Sequence, residues 1–247
     1  NGLLYYQERL YIPDIPTMRS SLISDHHANA QSGHLGFIKT HHRLRDNYYW
    51  PTLRADVSSF TNSCDLCQRI NATTTNYKPL NRALDIPIDR FHTIQMDFMP
   101  APMNKNGKDN ILIIVDKLTK FNTMIACKRT DSAITIAQLF FEHWYCRGFP
   151  LPHTIISDRD TKFVSDFWTS LMSHLDVKLT VATETNGLAE HMVKMTKKCL
   201  RALPNPTKLW QHYLPTISLA LNSSVTKCTG KHHLNFNLDS PALPPVN

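Results

Sequence analysis

Glycine is scarce in this chain, with seven residues in 247 against fifteen prolines. That balance argues against a low-complexity polymer and predicts segments joined by punctuated linkers. Long apolar runs are missing too. The longest purely aliphatic block is ILIIV at 111–115, far short of the roughly 20 residues a membrane helix needs. No signal peptide is visible, so no membrane partner is expected. Of six cysteines, only Cys64 and Cys67 lie close together, which argues against a disulfide scaffold. Cys127, Cys146, Cys199 and Cys228 fall in apolar or helical patterns and read as free core thiols, suited to a reducing compartment. Acidic side chains are outnumbered, 20 Asp and Glu against 27 Lys and Arg, for a net charge of +7. Such a surplus fits a polyanionic partner such as nucleic acid. The chain opens on Asn1 instead of Met and is expected to be a piece of a longer one.

What is present falls into five stretches. GLLYYQERLYIP reads as a hairpin around Gln7-Glu8-Arg9, a lead-in over 1–17. Residues 18–70 form a small helical module. Helices are expected from Met18 into a His-rich stretch, over 38–44 and over 53–60, with YYWP at 48–51 as a breaker. Residues 71–90 are polar, Thr-rich and Pro-containing, a linker. Over 91–203, strands are expected at TIQMDFM, ILIIVD, FNTMIAC, 154–156 and 177–183. Helices are expected at 132–148 (stopped by Gly148), 166–176 and 188–203. A last helix over 209–224, kinked at Pro215, leads the segment 204–247. With 42% hydrophobic residues the chain can bury one sizeable core plus a satellite. The order βββαβαβα is that of the ribonuclease-H-like fold. The expected class is therefore α/β, a mixed five-stranded sheet with flanking helices, preceded by a small helical zinc-binding module.

Two constellations carry chemistry. His27 and His34 precede Cys64-x-x-Cys67 by about thirty residues; zinc takes four N/S ligands, and C-x-x-C supplies two thiolates from one turn. A redox pair would sit beside a βαβ pattern, which is absent here. His26, His41 and His42 remain as substitute ligands. The second constellation is acidic. A β-branched strand, Thr154-Ile155-Ile156, ends at Ser157-Asp158, where open α/β sheets place their sites. Asp97 sits among apolar neighbours on another strand, and Glu190 opens a helix. Three carboxylates on three elements form a metal cage if the fold brings them together. Lys194, Lys197, Lys198 and Arg201 follow Glu190 on one helical face, a stripe suited to a DNA backbone. Val193, Thr196, Leu200 and Leu203 form a second, packing face. Asp109 and Asp116 read as solvated or capping residues, Asp160 as a neighbour of the site, and Trp50 and Trp168 as core anchors.

These blocks resemble the integrase region of gypsy-class LTR retrotransposons, related to retroviral integrases, from Gly2 to about Leu238. HHANAQSGHLG and YYWPTLRADVSSFTNSCDLCQRI look like that family's His-His-Cys-Cys module. IQMDFM, ILIIVDKLTKF, RGFPLPHTIISDRDTKFVSDFW and NGLAEHMVK look like its catalytic core. The resemblance implies zinc on His27, His34, Cys64 and Cys67. It implies Mg²⁺ or Mn²⁺ on a catalytic triad of Asp97, Asp158 and Glu190. It further implies double-stranded DNA partners (element ends and target), RNA as a further partner, a homo-oligomer, and a nuclear site of action after cytoplasmic assembly. The chain departs from the family in its spacing: 31 residues separate Asp158 from Glu190, fewer than usual. Thr183-Glu184-Thr185-Asn186-Gly187 stands where a longer Tyr-His-Pro-Gln-Thr-Asp-Gly-type loop is customary, and His232-His233 replaces a Ser-Pro pair. An integrase relic that binds DNA or RNA without catalysis is the alternative that this departure raises. A related DDE transposase fits less well with the long lead-in.

Overall fold

The structure is a computed structural model and describes residues 2–29, 32–71, 87, 89–181, 187–202 and 206–223. It divides into two compact units: Asn1–Tyr77 with Lys198–Pro204, and Lys78–Lys197 with Asn205–Asn247.

In the first unit, β1 (Tyr5–Tyr6) and β2 (Arg9–Tyr11) pair antiparallel. The turn residues Gln7 and Glu8 take φ of 48° and 63°. Two successive positive φ values are the geometry whose twist matches a two-residue hairpin, reached here without glycine. A third strand, β3 (Tyr48–Tyr49), adds parallel to β2. The sequence reading treats this YY pair only as a breaker, because pairing with a distant strand leaves no local signal. Helices α1 (Pro16–His27), α2 (Phe37–Arg45), α3 (Leu53–Ser63) and α4 (Asp65–Asn71) complete the unit. Ile12, Ile23, Leu44, Trp50, Leu53 and Val57 form its core. The Trp50 indole N–H donates to Asp56 Oδ2 at 2.7 Å, so this ring is a satisfied anchor. Helix α4 is absent from the sequence reading, which has no element between Cys67 and the linker.

The second unit holds β4 (Thr93–Pro100), β5 (Asn110–Asp116), β6 (Asn122–Cys127), β7 (Thr154–Ser157) and β8 (Lys178–Val181). They form one mixed sheet in the order β6-β5-β4-β7-β8, antiparallel through the first three and parallel for the last two. Every residue of β5 is buried, the reason its ILIIV run shows no polar alternation. Helices α5 (Ala133–His143), α6 (Asp166–His174) and α8 (Pro206–Asn222) accompany the sheet, as does α7 (Gly187–Arg201) as far as Lys197, its last residues falling in the first unit. Ser132 and Ser165 cap α5 and α6, accepting from the backbone N–H groups of Thr135 and Trp168. Phe140, Trp144, Trp168 and Met172 pack against Ile94, Leu112 and Ile114, and Trp168 is an anchor as expected.

Several expectations change. The helix expected over 132–148 stops at His143 and continues as a 3₁₀ turn, Tyr145–Arg147, closed by Gly148 at φ 86°. Cys146 on that turn is exposed, whereas Cys127 and Cys199 are buried as expected. Helix α8 carries Pro215 inside an unbroken helical span. It is fixed to β6 by a buried amide pair: the Asn122 backbone N–H and side-chain amide both donate to Asn222 Oδ1, at 2.9 and 2.6 Å. Asp116 is fully buried and caps a turn, accepting from Thr119 N, Thr119 Oγ1 and Phe91 N. Asp109 accepts from Arg129 N. Most of the expected linker, residues 182–186, Leu203 and everything past 223 lie outside the described residues, Cys228 and His232-His233 included. Among the described residues no helix is long and apolar enough to cross a membrane.

Candidate zinc centre and carboxylate site

His27 closes α1, His34 follows in the next turn, Cys64 caps the end of α3, and Cys67 sits in the first turn of α4. The Gln68 N–H donates to Cys64 O at 3.0 Å, folding the C-x-x-C segment so that both sulfurs face one way. The His34 N–H donates to His27 O at 3.0 Å, and His34 itself takes φ 49°. A left-handed non-glycine residue costs on the order of 1 kcal/mol, so the surrounding structure holds His34 against a local preference. One ligand atom from each of the four residues lies within 4.8 Å of the other three. His27 Nε2 is 3.4 Å from Cys67 Sγ; His34 Nδ1 is 3.5 Å from Cys64 Sγ and 3.8 Å from Cys67 Sγ. A tetrahedral zinc ion, with bonds of about 2.3 Å to sulfur and about 2.05 Å to nitrogen, sets its N–S edges at roughly 3.6 Å. The cluster has the donor set and spacing of that ion.

Electrostatics agrees. Burial, with the neighbouring His34, pushes His27 down to about 4, so its imidazole is neutral and free to ligate. Burial pushes the Cys67 thiol up to about 11, a thiolate that needs a cation beside it. Zinc is the cofactor of this module. His26 is excluded from the cluster: its Nδ1 bonds Leu22 O at 2.9 Å and its ring packs edge-on to Tyr48. His41 leans on Phe37 and His42, and neither it nor His42 belongs to the four-ligand group.

The sequence reading missed Thr40. Its hydroxyl donates to Leu35 O at 3.0 Å and sits 3.3 Å from His27 Nδ1. Having spent its one proton, the hydroxyl accepts Nδ1–H, which leaves Nε2 bare on the cluster side. Thr40→Val keeps the shape and removes that acceptor. Zinc affinity, measured by competition with a chelating dye, is expected to fall about 10- to 100-fold. An unchanged affinity would assign Thr40 to packing alone.

The carboxylates lie in the second unit. In the parallel register of β4 and β7, Met96 pairs with Ser157, so Asp97 and Asp158 are the next residues along neighbouring strands. Asp97 Oδ1 accepts from Phe98 N at 2.8 Å, and Asp158 Oδ1 accepts from Asp160 N at 3.2 Å. Asp160 in turn accepts from Lys162 N at 2.9 Å, so it shapes the loop after Asp158. Phe98 stacks on Phe163 at 4.9 Å, with Lys162 Nζ 4.9 Å over the Phe98 ring. Glu190 is exposed in the first turn of α7. Burial raises Asp97 to about 6, reinforced by the negative charges of Asp158 and Glu190 and opposed by Phe98 N–H and Lys197. Asp97 therefore feels both of the other carboxylates, yet the three are not a set within 4.8 Å; among the described residues only the His-Cys group is. On α7, Lys194, Lys197 and Arg201 are exposed and Lys198 is half-buried. Its buried face is Ala189, Met192, Thr196 and Cys199. That corrects the expected packing face, since Val193 and Leu200 are only half-buried.

A mixed five-stranded sheet in this order, with a helical His-His-Cys-Cys module in the same chain, defines a class by its fold: a small zinc module and a five-stranded α/β core. Residues 15–73 match the family described as "Integrase zinc binding domain". The Pro-Pol polyprotein of feline foamy virus is 27% identical over 238 residues, 92% of this chain and 20% of that protein. The transposon Tf2-3 polyprotein of Schizosaccharomyces pombe is 22% identical over 255 residues, 99% of this chain and 19% of that protein. The chain thus spans about a fifth of the length of these curated relatives. Two solved structures share the fold. One is the simian T-cell lymphotropic virus intasome in complex with a PP2A regulatory subunit (TM-score 0.59, 18% identity, 92% of this chain and 75% of that one). The other is the HTLV-2 integrase catalytic core with magnesium (TM-score 0.50, 17% identity, 60% and 97%). The chain is therefore similar to retroviral-type integrases over most of its length.

Proposed function

We propose that this chain is the integrase portion of an LTR-retrotransposon polyprotein of the gypsy class, inserting element DNA into target DNA by 3′-end processing and strand transfer. The observation that carries the reading is that Asp97, within β4, lies beside Asp158, which directly follows the last residue of the parallel neighbour β7, with Glu190 close enough to raise the Asp97 pKa. Three carboxylates with Lys197 as a nearby countercharge form a hard-oxygen donor set suited to Mg²⁺ or Mn²⁺. Two such ions lie about 3.5–4 Å apart, so carboxylates serving two ions need not converge as tightly as the four zinc ligands do. The HTLV-2 core that shares the fold was solved with magnesium and in a trimeric form. When bound, the metal pair supplies an activated attacking oxygen and a stabilised leaving oxygen.

The protein's part is positioning. Asp97, Asp158 and Glu190 would hold the ions between them. Lys194, Lys197, Lys198 and Arg201 hold DNA phosphates beside them. The intasome likeness supports an oligomer on DNA, and the nucleus is the place where target DNA would be met. The test is a joining assay: the zinc-loaded chain, Mg²⁺, a short duplex carrying the element end, and a supercoiled target plasmid. Joined products are expected, and a folded, zinc-loaded chain that neither nicks nor joins under Mg²⁺ or Mn²⁺ overturns the catalytic reading. DNA affinity is expected to fall steeply with salt. Lys194→Ala with Lys197→Ala should flatten the log–log slope by about two, and an unchanged slope would place the DNA elsewhere.

A further inference from the structure

We propose that Gln95 is a positioning residue for the carboxylate site, a tether that sets the start of α7, and with it Glu190, against the strand that carries Asp97. The inference rests on the Asp-Asp-Glu reading above and deepens it. Gln95 is 1% exposed on β4, two residues before Asp97, and alternate residues of a strand share a face. Its Oε1 accepts from the backbone N–H of Ala189 at 3.1 Å, across 94 residues of sequence. Ala189 is buried and lies in the first turn of α7, directly before Glu190.

The chemistry of a helix start explains why an amide belongs there. The first four N–H groups of a helix lack intrahelical acceptors, and the Ala189 N–H is one of these. A cap normally comes from the residue just before the helix; here an oxygen arrives from the sheet. Such a bond does two things at once: it satisfies a buried donor, and it fixes the helix start at one place along β4. An apolar side chain would fill the same core volume without the cost of burying an amide. The polar choice therefore has a purpose other than packing. Phe98 and Phe163 stack between the strand bearing Asp97 and the loop after Asp158. The Asp97 strand is thus connected to each of the other two acidic elements, and Gln95 supplies the connection to Glu190.

The test uses the full zinc-loaded chain. Gln95→Met keeps length and burial and deletes the acceptor; Met172→Ala, a core truncation away from the carboxylates, serves as a stability control. Mn²⁺ binding is read by electron paramagnetic resonance, and backbone exchange at Ala189 and Glu190 by hydrogen–deuterium exchange. Gln95→Met is expected to weaken Mn²⁺ binding about tenfold or more and to speed exchange at those two amides, while Met172→Ala lowers the melting temperature with Mn²⁺ affinity unchanged. Unaltered Mn²⁺ affinity in Gln95→Met, or an equal loss in Met172→Ala, overturns the proposal. If Gln95→Met does not fold, Gln95→Asn, one methylene too short for the bond, decides on the same two readouts. Failure of the parent reading shows separately, as wild-type Mn²⁺ affinity that Asp97→Asn does not change.

Discussion

Cys67→Ser is expected to strip zinc from the chain and melt the helices α1 to α4, whereas the sheet of the second unit keeps its own transition. Structural zinc contributes an apparent 10–16 kcal/mol, roughly, in small zinc modules at neutral pH. The core here is short, six fully buried apolar side chains with a few half-buried ones around them, so the ion rather than packing holds the fold. Serine preserves the volume but offers a hydroxyl that does not ionise near neutral pH. Zinc content, read by elemental analysis, should drop from one per chain to near zero against a mild chelator. The far-UV helical signal should fall with it, and chelating the wild type should reproduce both changes. Because burial holds the Cys67 thiol at about 11, zinc binding at pH 7 must expel at least that proton. Calorimetry in buffers of different ionisation enthalpy would show the release. A zinc-free chain with its helical signal and melting curve intact would mean that the module folds without the ion.

The second large effect is on chemistry. Asp158→Asn and Asp97→Asn are each expected to lower Mg²⁺-dependent joining by at least about a thousandfold, with zinc content unchanged. Asparagine keeps the shape and offers a neutral oxygen in place of an anionic ligand. Asp97 adds a pH signature whose sign is fixed by the direction of its shift. Its folded pKa, about 6, lies above the ordinary 3.8. The metal-free folded state therefore holds that proton more tightly than the unfolded chain does. The metal-free protein is favoured at this group below the ordinary value and loses that advantage as pH rises toward about 6. A divalent ion reverses the preference by favouring the carboxylate. Added Mg²⁺ should therefore raise the melting temperature at pH 7.5 and barely at pH 5, and Asp97→Asn should abolish the difference. A Mg²⁺ stabilisation that survives in Asp97→Asn would move the ion to another site.

Much of this was legible in the sequence because it is written in short-range code. The buried run ILIIV, the apolar spacing at 136, 139, 140 and 144 and the Gly148 stop announce a strand and a helix within a few residues of themselves. The spacing of His27, His34, Cys64 and Cys67 carries the zinc chemistry; spacing alone favours His27 over His26, and the cluster has His27 in it. What escaped was long-range. The parallel pairing of Tyr48–Tyr49 with β2, the Thr40 hydroxyl behind His27 and the Gln95 bond to Ala189 join residues far apart in the chain, and no periodicity reports them. Helix α4 escaped for another reason: DLCQRIN is one short turn beyond another helix, with too few apolar positions to show a stripe. The buried face of α7 was read correctly at Thr196 but one residue late at Val193 and Leu200, where Met192 and Cys199 are the buried residues, since Lys and Thr positions alone do not fix the helical phase.

The mixed sheet has a kinetic consequence. β4, β5 and β6 are consecutive antiparallel strands joined by short turns, so their pairing closes small loops and can form early. β7 reaches β4 only after the chain has passed through α5 and the 3₁₀ turn, and parallel pairing at that separation is slow to nucleate. Asp97 and Asp158 stand on opposite sides of that seam. The acidic centre is thus expected to be among the last places to assemble on refolding and among the first to loosen, and a cation bound across it would act as a clasp on the slowest joint in the sheet.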